Sequence, residues 1–324
     1  MTCLYVTEQG ATLRKTGQTI VIEMDGKELA EIETARLNSI LLYGNIHVTT
    51  PALKHLLENR IELALLSESG KIYGQLSPPL GKNIILRINQ FKVFGDPDIC
   101  LKLSRSLVMA KLTGAAEVLK QLSWNRRELD FGEPVHELER LNSNIPSVDD
   151  PETLNGLEGS AARIYFDAYA RAFKNPHQFN GRSKRPPRDS ANALMSFGYV
   201  LLASAIQSYL DAAGFDPYLG FYHRVEYGRP SLALDMLEVF RAPVVDRFVL
   251  KALNLGIFKE QDFIVGDDNG FRLRSEALKR FFIRWEENLR QYDFRKLLSE
   301  QAESLRAFFM KKNINADFHI FRAK

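Results

Sequence analysis

A histidine, His223, stands fifteen residues ahead of a glutamate, Glu238, in LGFYHRVEYGRPSLALDMLEVFRAPVVDR, the stretch from Leu219 to Arg247. Asp235 lies one helical turn before that glutamate, and a further acid, Glu158, sits upstream in LEGSAARIYFDAY. Imidazole and carboxylate groups drawn from separate helices are the donors that a catalytic divalent ion requires. A mixed oxygen and nitrogen set suits Mn²⁺ well and Mg²⁺ acceptably, and the lack of cysteine argues against structural zinc. Such an ion lowers the pKa of a bound hydroxyl, polarises a phosphoryl oxygen and stabilises a leaving oxygen. No serine or cysteine nucleophile is called for.

Each of these residues has an ordinary reading as well. A lone helix glutamate is normally a solvated surface group. Glu158, however, is followed by Gly159, Ser160, Ala161 and Ala162, small residues that let another helix approach. Tyr165, seven residues on, falls on the same helix face and is expected beside the site. A lone histidine is more often structural than a ligand. Asp235 and Glu238 share a helix face, yet Leu232, Leu234, Met236, Leu237, Val239 and Phe240 surround them. Two acids in so apolar a helix need a metal, an arginine or a solvated edge. Ser231, after Pro230, is placed to cap that helix.

Counter-charge comes from KNPHQFNGRSKRPPR, Lys174 to Arg188, which holds five basic residues and no acid. Gly181 and the Pro186-Pro187 pair make it a loop. A basic loop is often only a solvated surface. Lying between two candidate ligand segments, this one suits phosphate contacts through Arg182, Lys184, Arg185 and Arg188.

The elements that must position these residues divide in two. Residues 1 to about 76 read mostly as short, mainly antiparallel strands. TIVIEMDG and KELAEIET form a hairpin signal across Asp25-Gly26. A helix starts at Pro51, where proline suits a first turn. LSPPLGKN, Leu76 to Asn83, ends the β pattern, and 3–4 apolar spacing follows directly. Pro243 should bend or restart the helix after Glu238, and FIVGDDNGFRL reads as a small hairpin. The expected fold is α+β, with a small β-sandwich-like domain over residues 1–79. A larger, mainly α-helical catalytic domain is expected over residues 80–324.

The bulk composition constrains less. Of 324 residues, 45% are hydrophobic and 26% charged, the balance of an ordinary globular chain. A net charge of +3 permits nucleic-acid binding without arguing for it. Cys3 and Cys100 are far apart and read as free thiols of a reducing cytoplasm. The first residues lack the apolar core of a signal peptide, and no apolar run reads as a membrane span, so a cytoplasmic chain is expected. Gly-rich phosphate loops of the Walker or dinucleotide type are absent from the sequence.

Taken together, LEGSAARIYFDAY, FNGRSKRPPRDSANALMSFGYVLLAS, LGFYHRVEYGRPSLALDMLEVFRAPVVDR and FFIRWEENLR resemble the CRISPR-associated integrase family. This is the universal nuclease subunit that inserts new spacers into CRISPR arrays. With ELALLSESGKIYGQL in the β-rich start, the likeness spans nearly the whole chain. It implies a metal site of Glu158, His223 and Glu238, holding Mn²⁺ or Mg²⁺, with Asp235 as a further acid beside it. It also implies a homodimer, two of which flank a dimer of a small ferredoxin-like CRISPR-associated protein in a heterohexamer. The implied reaction is attack by a DNA 3′-hydroxyl on a phosphodiester of double-stranded DNA; with water as nucleophile the same site cleaves DNA.

Two other readings compete. A general metal-dependent DNA-repair nuclease would cut without needing the small partner or a repeat. A non-catalytic DNA-binding scaffold would tolerate loss of Glu158, His223 and Glu238.

Overall fold

A computed structural model describes the chain apart from residue 1 and residues 68–71, 78–82, 175, 176, 178, 312–315, 317, 319 and 322–324. It divides into two compact units. The first combines Met1–Leu80 with Leu273–Glu286, and the second holds Gly81–Arg272 and Glu287–Lys324. The boundary expected after residue 79 falls among residues outside the described ones.

The first unit contains β1 (Thr2–Val6), β2 (Thr12–Thr16), β3 (Thr19–Met24), β4 (Lys27–Glu33), β5 (Leu37–Tyr43), β6 (His47–Val48), α1 (Thr50–Glu58), β7 (Glu62–Leu66) and β8 (Ile72–Leu76). Two four-stranded sheets form, ordered β1-β5-β7-β8 and β4-β3-β2-β6. β3 and β4 meet at Met24 and Lys27, across Asp25 and Gly26, both at positive φ. That is the backbone a two-residue turn needs to match strand twist. Leu13, Ile20 and Ile22 of one sheet and Val6, Ile40, Leu42 and Leu63 of the other share one apolar cluster. Burial between facing sheets thus makes the expected sandwich.

Strand pairing is more mixed than the antiparallel arrangement expected. β1 with β5, β5 with β7 and β2 with β6 run parallel. Parallel neighbours require a crossover: α1 lies in the one from β5 to β7 and buries Ala52 and Leu56 in the cluster, while β2–β4 lie between β1 and β5 and β3–β5 between β2 and β6. Leu273–Glu286, assigned by sequence to the helical part, belongs to this unit. Phe282 stacks on Tyr5 with ring centroids 4.3 Å apart, and the Tyr5 hydroxyl donates to Glu286 at 2.7 Å.

The second unit is helical: α2 (Ile84–Phe94), α3 (Pro97–Asn125), α4 (Gly132–Asn144), α5 (Pro151–Ala170), α6 (Ser190–Ala213), α7 (Ser231–Phe240) and α8 (Arg247–Asn254). The hairpin β9 (Phe263–Val265) and β10 (Phe271–Leu273), then α9 (Ser275–Gln291) and α10 (Phe294–Phe309), follow; α9 belongs to the first unit through Glu286. The helix starts are written locally. Asp96, Asp150 and Asp189 each accept the backbone N–H three residues on, and Pro97 and Pro151 open α3 and α5. α6 ends at Gly214, at φ +89°, where a left-handed cap favours glycine.

α3 packs against both α5 and α7, and α7 also against α6. α6 is long and apolar enough by composition to cross a membrane, contrary to the sequence reading, but more than half of its most apolar window is buried within the protein. Pro243 does perturb its helix: Arg241–Asp246 is a π-helical turn between α7 and α8. A ring that supplies no N–H opens the ladder there.

Candidate active site

The helix carrying the two acids of the central motif is buried throughout its length on the core side. Asp235 is fully buried and Glu238 nearly so. Asp235 finds its partners in the loop that follows α6. Its Oδ2 accepts from the backbone N–H of Phe221 at 2.7 Å and of Tyr222 at 3.1 Å. Its Oδ1 accepts from His223, backbone N–H at 2.9 Å and Nδ1 at 2.7 Å. A carboxylate on Nδ1 fixes the ring orientation and, in the neutral ring, leaves the Nε2 lone pair for another partner. Nε2 lies 3.7 Å from Glu238 Oε1, too far for a hydrogen bond.

His223 therefore sits on an irregular loop and not on a helix, but the loop is tied from three sides. Gln90 of α2 donates to the carbonyls of Asp216 and Leu219 and accepts from Asp216 N–H. Ser104 of α3 donates to Phe221 O, and Leu232 N–H reaches back to Pro217 O. Gly220 permits the closest approach: a Cβ there would stand 2.7 Å from Asp235 Oδ2 and 2.8 Å from Ser231. Ser231 does not cap α7. Pro230 takes that position, and the Ser231 hydroxyl donates to Arg224 O instead.

Glu238 and Glu158 come together across α3. The Lys111 ammonium, on α3, contacts Glu158 Oε1 and lies 2.5 Å from Glu238 Oε2. Arg241, one turn beyond Glu238, donates from Nε to its Oε1 at 2.9 Å. Burial opposes the charge on Glu238, but Arg241, Lys111 and His223 outweigh it and hold the carboxyl down at about 2. Burial likewise disfavours charge on Lys111, and Glu238 and Glu158 overcome it, so its pKa is raised. Tyr222, beside His223, is pushed up by burial and by Glu158 and Glu238.

Among the described residues, no three His, Cys, Asp or Glu side chains already close around one ion position. The donor chemistry nevertheless fits a divalent cation. Two carboxylates share one cationic nitrogen, and an imidazole is oriented toward the same glutamate. Glu238 Oε2 accepts no well-angled hydrogen bond, so charge alone holds it. Glu158, His223 and Glu238 are the side chains that would hold such an ion if one were bound, and Asp235 supports the imidazole.

Tyr165 bonds to a different acid. Its hydroxyl donates to Asp246 Oδ2 at 3.1 Å, and Tyr199 donates to Asp246 Oδ1. Seven residues along α5 keep Tyr165 on the Glu158 face but carry it two turns away, to a buried cluster around Asp246 that adjoins the site through Tyr199, whose ring lies against the Arg241 guanidinium. Burial pushes the Asp246 carboxyl up to about 6 despite these tyrosines.

The basic loop divides in its roles. Arg182 is held in place: it donates to Ser183 O and Asn192 Oδ1, each at 2.6 Å, and to Ser196 Oγ at 3.0 Å, with its guanidinium over the Tyr199 ring. The fully buried Asn192 also accepts from Ser183 N–H and donates to Gly181 O. Lys184, Arg185 and Arg188 remain exposed. Desolvation, then the nearby Arg241 and Arg182, pull the Lys184 pKa down, and Glu238 opposes them. The loop thus brings positive charge to the carboxylates.

Lys111, Arg241, Tyr222, Asn192 and the Asp246 cluster were not singled out by sequence. Lys111 had a signal: a lone cation in the apolar run LVMAKLTGAA. Arg241 had only its three-residue spacing from Glu238.

The family profile described as "CRISPR associated protein Cas1" matches residues 4–287. A CRISPR-associated endonuclease Cas1 of Thermus thermophilus is 38% identical over 294 residues, spanning 89% of this chain and 85% of the relative. Its counterpart from Chlorobaculum tepidum is 33% identical over 291 residues, spanning 88% and 85%. In fold, the chain resembles a Cas1 protein from Thermotoga maritima, with TM-score 0.84, 24% identity and complete coverage of both chains. It also resembles a casposase bound to integration product, with TM-score 0.85, 21% identity and coverage of 100% and 96%. A profile match over most of the length and relatives above 30% identity place this chain in the CRISPR-associated Cas1 family.

Proposed function

We propose that the chain is a metal-dependent DNA endonuclease and integrase that inserts short DNA spacers into CRISPR arrays. The observation that carries the reading is the Asp235–His223–Glu238 arrangement, with Glu158 brought to the same place across α3. Membership in a family whose curated relatives are named endonucleases supports it.

Glu158, His223 and Glu238 would hold Mn²⁺ or Mg²⁺, which when bound supplies charge stabilisation at a phosphoryl oxygen and at the attacking and leaving oxygens. Asp235 keeps the His223 ring from rotating. Arg241 orients the Glu238 carboxylate from one side. Lys184, Arg185 and Arg188 contact phosphates and set position without reading sequence. A DNA 3′-hydroxyl forms the new phosphorus–oxygen bond as the bond to the departing strand's 3′ oxygen breaks. Water in place of that hydroxyl gives cleavage. Double-stranded DNA is the substrate, and the working assembly is a homodimer that joins a small ferredoxin-like CRISPR-associated protein in a heterohexamer in the cytoplasm.

The test is strand transfer of a labelled short duplex with 3′-hydroxyl ends into a repeat-containing plasmid, with Mn²⁺ or Mg²⁺ and the small partner. Joined product that disappears with EDTA and in His223→Ala is expected. Metal-dependent nicking without joining, even with partner and repeat supplied, would favour a repair nuclease. DNA binding with neither reaction, unchanged in His223→Ala, would favour a scaffold.

A further inference from the structure

Lys111 has no place in the ligand set, yet its ammonium touches both of that set's carboxylates. A lysine in mid-α3, among Val108, Ala110, Leu112 and Ala115, all buried, sits in apolar surroundings that oppose its charge. Such a placement persists only where opposite charge compensates it, and here two acids from two other helices do so. One nitrogen in contact with an oxygen of each glutamate also keeps those two oxygens close to one another.

The charge balance points further. Lys111 and Arg241 together carry two positive charges against the two of Glu158 and Glu238. A divalent ion entering this group would leave it strongly positive with both bases in place. Among the described residues, the salt bridge of Arg241 is to Glu238, from the π-helical turn that continues α7. Lys111 stands between the two carboxylates, so a bridging ion and this ammonium compete for the same oxygens.

Resting on the metal reading above, we propose that Lys111 is the site's resident counter-ion. It holds Glu158 and Glu238 at bridging distance while no metal is present and yields that position when a divalent cation binds. The free protein then keeps its carboxylate pair assembled without metal, at the expense of metal affinity. An anionic DNA phosphate, by neutralising the displaced ammonium, favours ion entry, so metal and DNA bind cooperatively.

The experiment is Mn²⁺ titration of the whole chain without DNA, by calorimetry and by electron paramagnetic resonance of free Mn²⁺. Wild type, Lys111→Met and Glu158→Gln are compared, each with its thermal midpoint in EDTA. Removing a like charge next to the ion should tighten Mn²⁺ binding in Lys111→Met by about one to three decades. Its midpoint in EDTA should fall, and added Mn²⁺ should raise it more than in wild type. Unchanged or weaker Mn²⁺ binding in a folded Lys111→Met, with wild type binding and Glu158→Gln not, would overturn the Lys111 role and leave the metal site standing. No Mn²⁺ binding by either wild type or Lys111→Met would overturn the metal reading and this role with it. Amine labelling of wild type, read by mass spectrometry, tests the same displacement without a substitution. Lys111 labelling should rise on adding Mn²⁺ while the exposed Lys54 stays constant; no rise would count against displacement.

Discussion

Asp235 Oδ1 accepts two hydrogen bonds from the same residue, the backbone N–H and the Nδ1 of His223. One buried oxygen thus sets both where the histidine begins and which way its ring faces. Replacing it with asparagine puts an N–H₂ group against either ring or backbone donors. Asp235→Asn is expected to weaken Mn²⁺ affinity by roughly 10–100-fold, with a smaller loss of thermal stability. Calorimetric titration beside circular dichroism separates the two; full metal affinity in the variant would contradict the relationship.

Gly220→Ala probes the same contact from the other side. Its Cβ would meet the Asp235 carboxylate and the Ser231 backbone at distances that force one of them to move, and neither is a flexible chain end. A stability loss of about 1–3 kcal/mol is expected in urea unfolding, together with reduced nicking. Unchanged stability would mean that the loop yields freely.

The basic loop should separate into structural and binding parts. Arg182→Ala removes three hydrogen bonds and a ring contact, so its main cost is in stability, about 1–3 kcal/mol. Lys184→Ala, Arg185→Ala and Arg188→Ala combined should leave the fold intact and flatten the salt dependence of DNA binding. Each lost phosphate contact removes about 0.9 from the log–log slope. An unchanged slope in the triple variant would remove these residues from the DNA contact.

Asp246 supplies a pH signature. Its carboxyl lies at about 6 in the folded chain against an ordinary 3.8, because burial penalises its charge more than the tyrosine hydroxyls relieve it. The folded state therefore binds the extra proton between those values. The associated stability is present below about pH 4 and lost as pH rises through 6, a change on the order of a few kcal/mol. Asp246→Asn should lack this component, so the gap in unfolding free energy between the two proteins changes over about pH 4 to 7. A gap flat with pH would refute the assignment.

Much of the frame was legible because its signals are local. The Asp25-Gly26 turn and the proline that opens α1 act on neighbouring residues. Glu158, His223, Asp235 and Glu238 were found through motif order, and the structure brings them to one place. What escaped depends on contacts between distant segments. The parallel pairing of β1 with β5 leaves no period in the sequence. Neither does the arrival of Lys111 between glutamates 47 and 127 residues away along the chain. Tyr165 meets Asp246 first and reaches the site through Tyr199 and Arg241, because sharing a helix face fixes direction, not reach.

Because α3, α5, the His223 loop and α7 each contribute one part, the group is assembled in the order of synthesis. A nascent chain that ends before residue 223 carries Lys111 and Glu158 but neither the imidazole nor Glu238. Premature products of translation thus lack the complete donor set. The donor set proposed above is complete only late, once the residues that follow Pro230 have been made.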